Sequence, residues 1–340
     1  MELRYTIEKH TLQFKRPAKT SRNIFEDKLH WIVKVWDASN ANITGIGEAA
    51  PIEHLSPDFT PNLEETLSHS LDMINAGFEL RFQDLSGLPS VKFALETALH
   101  DLKNGGKQRY FESDFLNGKS IPINGLVWMN TLDEMLKEAE EKIASGFKCI
   151  KFKVGSHDFD AECRLIEHIR KLPSGSGLEI RLDANGAFLP GEAAEQLKEL
   201  SKFNIHSIEQ PIKKGLWEEM ARLCRDARLD IALDEELIGI NAGKDGKRLM
   251  DYIQPQYLIL KPGLLGGFDA CDKWIELAQK SNSGWWATSM LESNIGLNAI
   301  AQWVATHDPQ IAQGLGTGML YTNNFASCSF IEHGELFYKI

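Results

Sequence analysis

The stretch from residue 179 to residue 237 contains three short apolar runs that each end in an acidic residue: EIRLDANG (179–186), HSIEQPI (206–212) and DIALDEEL (230–237). The acidic residues Asp183, Glu209 and Asp234 are 26 and 25 positions apart. One strand and one helix of a parallel barrel have about this length, and the carboxyl ends of all strands meet at one rim. Three carboxylates on one rim repel one another unless a hard cation lies between them. The stretch therefore predicts a barrel enzyme that binds Mg2+, for which Mn2+ can substitute.

The same spacing continues on both sides of this stretch. Upstream, CIKFKVG (149–155) contains Lys151 and Lys153; downstream, YLILKPG (257–263) contains Lys261 and WWATSMLES (285–293) contains Ser289. A solenoid would also show a regular repeat, but here the units share only the position of a polar residue after an apolar run and have no sequence in common. We therefore predict a (β/α)8-type TIM barrel, or its modified (β/α)7β form, over residues 116–320.

The first part of the chain has a different organisation. Three segments with alternating polarity predict an antiparallel sheet and two with helical periodicity predict helices: RYTIEKHTLQF (4–14), LHWIVKVWD (29–37), ITGIGEAAP (43–51), NLEETLSHSLDMI (62–74) and SVKFALETALHDLKNG (90–105). These predict an α+β capping domain over residues 1–115, to which residues 321–340 return through the strand-like GELFYKI (334–340). The polar segment KTSRNIFEDK (19–28) is either a loop that closes over the ligand or an ordinary hairpin connection.

Composition limits the class of function. The chain has 340 residues, 43% hydrophobic, with a net charge of -11 and no basic run, which argues against nucleic acid or an anionic membrane as a partner. Five cysteines without a close pair suit a reducing compartment. The N-terminus lacks the apolar core of a signal peptide, and no run of about twenty apolar residues occurs. We expect a cytoplasmic enzyme with a small-molecule substrate; assembly into a homo-oligomer stays open.

Lysines on two sides of the predicted rim indicate proton chemistry. Lys151 and Lys153 stand at alternate positions of one strand, so both side chains face the barrel interior. Each disfavours protonation of the other, and a metal ion would add to this effect. We therefore expect Lys153 to act as a neutral general base, with Lys151 holding the substrate or tuning its neighbour. Lys261 ends an aliphatic strand on the opposite side, either as a second cation at the substrate or as the partner of a strand carboxylate.

The succession of motifs in the barrel resembles that of the enolase superfamily, in particular its muconate-lactonising branch. The motifs are KFK (151–153), DAN (183–185), EQP (209–211), DE (234–235) and LKPG (260–263), and the resemblance covers essentially the whole chain. It implies that Mg2+ is bound by Asp183, Glu209 and Asp234. It also implies that Lys153 is the acid and base and Lys261 the second lysine, and that Asn185 and Glu235 orient the metal ligands.

The late segments narrow the resemblance. Near Lys261 there is no histidine of the kind that the mandelate-racemase branch uses, and IAQGLGTGML (311–320) lacks the Asp-x-Asp motif of dipeptide epimerases. In SMLESNIGL (289–297) a strand runs into a helix, whose hydroxyls and backbone N–H groups either bind a carboxylate or cap the helix. Residues 287–303 with 313–324 resemble the o-succinylbenzoate synthase family. That resemblance implies a substrate contact for Arg181, and we expect Ser289, Asn294 and Gly314 either to bind the substrate or to orient the groups that bind it.

The resemblance implies a carbon–oxygen lyase of menaquinone biosynthesis. It would dehydrate the dicarboxylate 2-succinyl-6-hydroxy-2,4-cyclohexadiene-1-carboxylate to o-succinylbenzoate. The same two lysines would also support an N-succinylamino acid racemase, and a muconate cycloisomerase is a further alternative within the fold. From a different class, a non-catalytic metal-binding barrel would have no use for lysines on both sides of the site.

Overall fold

Alternating segments at the start of the chain form an antiparallel sheet in the order in which they occur. The computed structural model describes residues 2–19 and 24–339. The capping domain contains β1 (Leu3–Lys19), β2 (Ile24–Asp37), β3 (Asn40–Ala49), α1 (Leu63–Asn75) and α2 (Pro89–Lys103). Buried side chains of β2, α1 and α2, among them Trp31, Leu67 and Val91, form its hydrophobic core. The predicted α+β capping domain is therefore present.

Two glycines of β3 let α2 lie directly on the sheet. A Cβ atom at Gly45 would stand 2.1 Å from the carbonyl oxygen of Ala98, and one at Gly47 would stand 2.0 Å from that of Ala94. No side chain fits at either position, because both distances are far shorter than van der Waals contact. This close packing fixes β3, and with it Glu48, relative to the helix layer.

Strands and helices alternate after the capping domain. Following the short β4 (Ile121–Pro122), the parallel strands are β5 (Gly125–Val127), β6 (Cys149–Lys153), β7 (Glu179–Asp183), β8 (Ser207–Glu209), β9 (Asp230–Leu233), β10 (Tyr257–Leu260) and β11 (Gly284–Ala287). The helices between and after them are α3 (Leu132–Ala144), α4 (Phe159–Lys171), α5 (Pro190–Leu200), α6 (Trp217–Asp226), α7 (Lys247–Ile253), α8 (Pro262–Leu265), α9 (Gly267–Lys280) and α10 (Asn294–Ala305). Each strand from β5 to β11 pairs with the next in sequence, as expected for a barrel.

A short segment at the eighth position closes the barrel. Gly314 bridges in parallel to Thr288 after β11, and Gln313 bridges to Ile123 before β5. The backbone N–H of Gly314 donates to the carbonyl of Ala287 at 2.7 Å. After this segment, residues 315–339 form a 3-10 turn and two strands and no further α-helix. The architecture is therefore the modified (β/α)7β form.

The C-terminal segment returns to the capping domain in a different way from the prediction. The backbone of Leu320 and Thr322 hydrogen-bonds to Lys15 and Gln13, which places this segment along the outer edge of β1. The final strands β12 (Ser329–Glu332) and β13 (Glu335–Tyr338) instead form a separate sheet with β4. The GELFYKI strand therefore does not join the first sheet, because its backbone partners lie at β4 and β12.

The polar segment at residues 19–28 is largely strand. Residues 20–23 lie outside the described part of the chain, but Lys19 and Ala18 pair with Ile24 and Phe25 across the hairpin of β1 and β2. Of the two predicted alternatives, a hairpin connection agrees with this pairing, and closure over a ligand stays a prediction. Among residues 2–19 and 24–339, no helix combines the length and the apolar character that crossing a bilayer requires.

Candidate active site

Strand register brings the predicted catalytic side chains to one end of the barrel. Lys153 is directly opposite Asp183 on the neighbouring strand, and Asp183 is directly opposite Glu209 on the next. Asp234 and Lys261 are the first residues after β9 and β10. The carboxyl ends of parallel strands share one rim, so these five side chains meet there, as the sequence spacing predicted.

The three carboxylates are ion-paired with three lysines. The Nζ of Lys153 lies 2.6 Å from Asp183 Oδ2, and the Nζ of Lys151 lies 2.8 Å from Glu209 Oε2. Lys261 forms a short ion pair with Asp234 and lies 3.8 Å from Glu209 Oε1. Lys153 therefore lies at the Asp183 end of the row of carboxylates and Lys261 at the Asp234 end.

Burial and neighbouring charges shift the pKa values of this cluster in opposite directions. Burial raises the pKa of Asp183, but the nearby lysines more than reverse this and hold it below its usual range. Burial, assisted by the charge of Asp183, raises the pKa of Glu209 to about 7. Burial lowers the pKa of Lys151 and Lys261, but the carboxylates outweigh it and leave both pKa values raised. The carboxylate partners of Lys151 were not part of the expectation that Lys151 and Lys153 suppress each other's charge in a site with a metal ion, and that expectation stays a prediction.

The donor set suits a hard divalent cation. Glu209 is only 1% exposed, and its Oε1 atom has no hydrogen-bond partner although it is buried. An unsatisfied buried carboxylate oxygen beside Asp183 and Asp234 is the chemistry that Mg2+ accepts. Within residues 2–19 and 24–339, no three acidic, histidine or cysteine side chains converge tightly enough to hold an ion as they stand. In this arrangement each of the three carboxylates contacts the Nζ of a lysine instead.

Amide and carboxylate groups behind the rim support the acidic residues. Asn185 accepts from Lys153 Nζ at 2.9 Å through its side-chain oxygen and donates to Glu235 Oε1 at 3.1 Å. Gln210, which is fully buried, accepts from the backbone N–H of Asp234 at 3.2 Å. Asn185 and Glu235 thus lie beside the predicted metal ligands, and their role in orienting those ligands stays a prediction. Gln210 was not predicted, although its position directly after Glu209 in the EQP motif could have indicated it.

The rim opens into a cleft between the barrel and the capping domain, with a volume of about 980 Å3 including its open entrance. Its floor is polar and contains Lys151, Lys153, Asp183, Asp234 and Lys261. Apolar side chains line the walls: Phe25, Ile52, Leu55, Leu126, Trp128, Leu264, Met290 and Leu291. This arrangement suits a flat apolar ring with an anionic edge directed at the floor. The capping-domain residues of the wall are far from the rim residues in sequence, so the repeat spacing could not identify them.

Arg181 does not contact the cleft, which corrects the prediction that it binds substrate. Its guanidinium stacks on the ring of Trp286 at 4.0 Å, pairs with Glu179 at 2.6 Å and donates to the carbonyl of Ala312. Glu179 is the first residue of its strand, so this group lies at the opposite end of the barrel from the carboxylate rim. The side chain is fully buried, and its role is to fill and neutralise the barrel interior.

The helix start after β11 is capped by protein groups and is not a free anion site. Ser293 Oγ accepts from the N–H of Ile295, and Glu48 of the capping domain accepts from those of Ser293 and Gly296. The N–H of Asn294 donates to Asn324, and the Asn294 side chain donates to the carbonyl of Phe325. Asn294 therefore holds the chain near residue 325 and does not line the cleft, which argues against a direct contact with substrate and leaves the supporting role as a prediction.

Ser289 and Gly314 do line the cleft. Ser289 Oγ lies 2.6 Å from Thr317 Oγ1 and also accepts from the N–H of Leu291. A Cβ atom at Gly314 would stand 2.4 Å from Thr288 Oγ1, so only glycine lets the closing segment approach β11. These residues form a hydroxyl-lined corner of the cleft, and their contact with substrate stays a prediction.

Comparison with known proteins agrees with this geometry. The family model described as "Enolase C-terminal domain-like" matches residues 134–331. The chain is 44% identical to o-succinylbenzoate synthase of Desulfotalea psychrophila, with 99% of this chain and 98% of that protein covered.

Solved structures with the same fold include relatives with different activities. The crystal structure of MenC from Desulfotalea psychrophila has a TM-score of 0.84 and 42% identity, with 99% of each chain covered. The L-Ala-D/L-Glu epimerase of Bacillus subtilis has a TM-score of 0.86 but only 23% identity, with 100% of this chain and 97% of that chain covered. The second likeness is evidence for the fold alone.

Proposed function

Because this chain belongs to the enolase superfamily and, within it, to the o-succinylbenzoate synthase family, we propose that it catalyses the corresponding dehydration. The substrate is 2-succinyl-6-hydroxy-2,4-cyclohexadiene-1-carboxylate and the products are o-succinylbenzoate and water. The enzyme is a carbon–oxygen lyase of menaquinone biosynthesis and acts in the cytoplasm. The observation that supports this most directly is a lysine at each end of a row of three buried carboxylates, beneath an apolar cleft.

Lys153 is the acid and base of this proposal. Its neutral amine takes the proton from the ring carbon that bears the carboxylate, and the electron pair of that C–H bond becomes part of the ring π system. The adjacent C–O bond breaks, and the hydroxyl leaves with the proton that Lys153 now carries, as water. The base and the leaving hydroxyl lie on the same face of the ring. Asn185 and Asp183, which hold Lys153 Nζ, orient it.

Lys261 holds a positive charge on the other side of the substrate. It enters the cleft from β10, which is separated from β6 by three strands. As a cation it stabilises negative charge on the carboxylate and can contact the ring face. Mg2+, bound by Asp183, Glu209 and Asp234, would supply further positive charge for the substrate carboxylate. Aromatisation makes the elimination favourable, so the residues need only orient the ring and neutralise charge.

Turnover of the cyclohexadiene substrate tests the proposal directly. With Mg2+ present we expect o-succinylbenzoate to form, and Lys153→Ala to abolish its formation while the variant stays folded. Arg181→Met is the matched control, because it removes a buried cation from the same barrel without touching the cleft. The alternative activity, N-succinylamino acid racemase, would exchange the α-proton of N-succinyl amino acids with deuterium from solvent. Such exchange without formation of o-succinylbenzoate would refute the proposal in favour of the racemase.

A further inference from the structure

A buried polar cluster connects the capping domain to the wall of the cleft. We define this interdomain cluster as Lys28 and His30 of β2, Glu48 of β3, and Glu292 and Ser293 of the turn between β11 and α10. Each of these residues is at most 6% exposed, and none lines the cleft. Buried charges of this kind are costly unless each one has a partner, so their arrangement requires an explanation.

Lys28 holds a strained part of the turn. Its Nζ donates to the backbone carbonyls of Met290 at 2.7 Å and Leu291 at 3.1 Å. Leu291 has a φ of 66°, in the left-handed region that a leucine rarely adopts. The hydroxyl of Tyr321 also donates to the Leu291 carbonyl, at 2.7 Å. A strained backbone conformation persists only where its surroundings fix it. Here Lys28 and Tyr321 fix the backbone at Leu291.

Glu48 holds the other end of the turn. Its carboxylate accepts from the N–H of Ser293 at 2.8 Å, from the Ser293 hydroxyl at 2.6 Å and from the N–H of Gly296 at 2.7 Å. His30 Nδ1 contacts the same carboxylate at 2.5 Å. Although burial raises the pKa of Glu48, His30 and Ser293 more than compensate and leave it lowered, so the group is anionic. A negative charge at the start of α10 is favourable for the helix.

The turn fixed in this way forms one wall of the active site. Ser289, Met290 and Leu291 line the cleft. Lys28 holds the carbonyls of Met290 and Leu291, and Glu48 holds amides that follow them in the chain. The N–H of Met290 is itself held by Glu292 at 2.7 Å. The capping domain therefore determines the position of this wall through the backbone, without a side chain of the cluster in the cleft.

We propose that Lys28 and Glu48 are positioning residues that set the shape of the Ser289–Leu291 wall and thereby the affinity for substrate. The inference rests on the proposed function only for the identity of the ligand. The wall lines the cleft but contains none of the lysines or carboxylates of its floor, so on this proposal loss of its shape weakens binding of ground state and transition state together. KM should therefore change more than kcat.

The test compares Lys28→Met and Glu48→Gln with Glu96→Gln. Glu96 on α2 is a matched control, because it is also a largely buried carboxylate of the capping domain that accepts from the start of a barrel helix, in this case α9 at Phe268. Hydrogen exchange of the ligand-free protein at pH 7.5 is followed by mass spectrometry over residues 289–297. We expect exchange about tenfold faster in the Lys28 and Glu48 variants and no faster than in the parent in the control. KM should rise about tenfold in the same two variants, with kcat within about threefold of the parent.

A milder variant protects the test against misfolding. Tyr321→Phe removes one hydrogen bond to Leu291 and no charge, so the protein should fold and show a smaller change in the same direction. Unchanged exchange of residues 289–297 and unchanged KM in both Lys28→Met and Tyr321→Phe would overturn the inference. An equal change in Glu96→Gln would also overturn it, because the effect would then be one of general domain stability. If the exchange rates respond as expected but the parent protein does not turn over the substrate, the positioning role stands and the proposed function fails.

Discussion

Replacing Glu96 should make the protein more stable at alkaline pH, although the carboxylate caps a helix. Glu96 lies on α2, and its Oε2 accepts from the N–H of Phe268 at 2.7 Å, at the start of α9. Burial raises its pKa from 4.5 to about 7, because the cost of desolvation exceeds what Lys92 and the Phe268 N–H recover. The interface between the two domains therefore favours the protonated form of this group.

The sign and size of the effect follow from linkage. A carboxyl group whose pKa is higher in the folded state contributes stability that is fully present below pH 4.5 and is lost as pH rises through about 7. The gap between these two pKa values corresponds to ~3 kcal/mol. Glutamine resembles the protonated side chain, so Glu96→Gln should match the parent near pH 4.5 and exceed its free energy of unfolding by ~3 kcal/mol at pH 8. For a chain of this length the gain in Tm is about 4 °C.

Calorimetry and urea unfolding at pH 5, 6, 7 and 8 would measure the difference between variant and parent. Asp84→Asn is the control, since it removes an exposed carboxylate of the capping domain whose pKa the Ser86 hydroxyl and N–H hold below its ordinary value, so it should add no dependence between pH 5 and 8. If Glu96→Gln is less stable than the parent by the same amount at every pH, the carboxylate is ionised and acts as a favourable cap, and the reasoning is wrong.

Further predictions concern the site. Lys153→Ala should lower kcat by a factor of about 10^2 to 10^4 or more. Lys261→Ala should also be inactive in turnover, but it should retain slow exchange of the substrate α-proton with deuterium because the base is still present. Equal exchange by both variants would contradict their separate roles. Glu209→Gln should weaken Mg2+ binding at least ~100-fold, as measured by calorimetry, and should remove any rise in Tm on adding Mg2+, because one hard ligand is lost. Full turnover after exhaustive EDTA treatment would contradict a metal role. Ser289→Ala should raise KM more than it lowers kcat, and an unchanged KM would mean that the succinyl arm is held elsewhere. Arg181→Met should lower Tm but leave KM unchanged, as measured by calorimetry and steady-state kinetics, because its contacts are all in the barrel interior.

The fold could be predicted because its signals are local and periodic. The spacing of Asp183, Glu209 and Asp234 reflects one strand and one helix each, and parallel pairing then brings the residues to one rim. The route of the C-terminal segment could not be predicted in the same way. Strand-like composition in GELFYKI indicates that a strand forms, but it does not specify the partner that lies more than two hundred residues away.

The site was predictable where function needs a particular residue type at a strand end, and not where the role depends on side-chain direction. Arg181 stands two positions before Asp183 on the same strand face, and the sequence does not show that its long side chain extends toward the other end of the barrel. The amides at the start of α10 looked available for a ligand. Glu48, 245 positions earlier, occupies them, and no local pattern predicts that contact.

The contact between the C-terminal segment and β1 has a consequence for synthesis of the chain. The outer edge of β1 is covered by residues near 320, so the hydrogen bond from the Gln13 N–H to Asn323 joins positions 310 apart. While the ribosome makes the intervening residues, this edge has no strand partner, and an open edge can pair with another chain. Premature release of the nascent chain anywhere before residue 320 should therefore yield a product that aggregates through its first strand, and a chaperone that binds extended segments should suppress this aggregation.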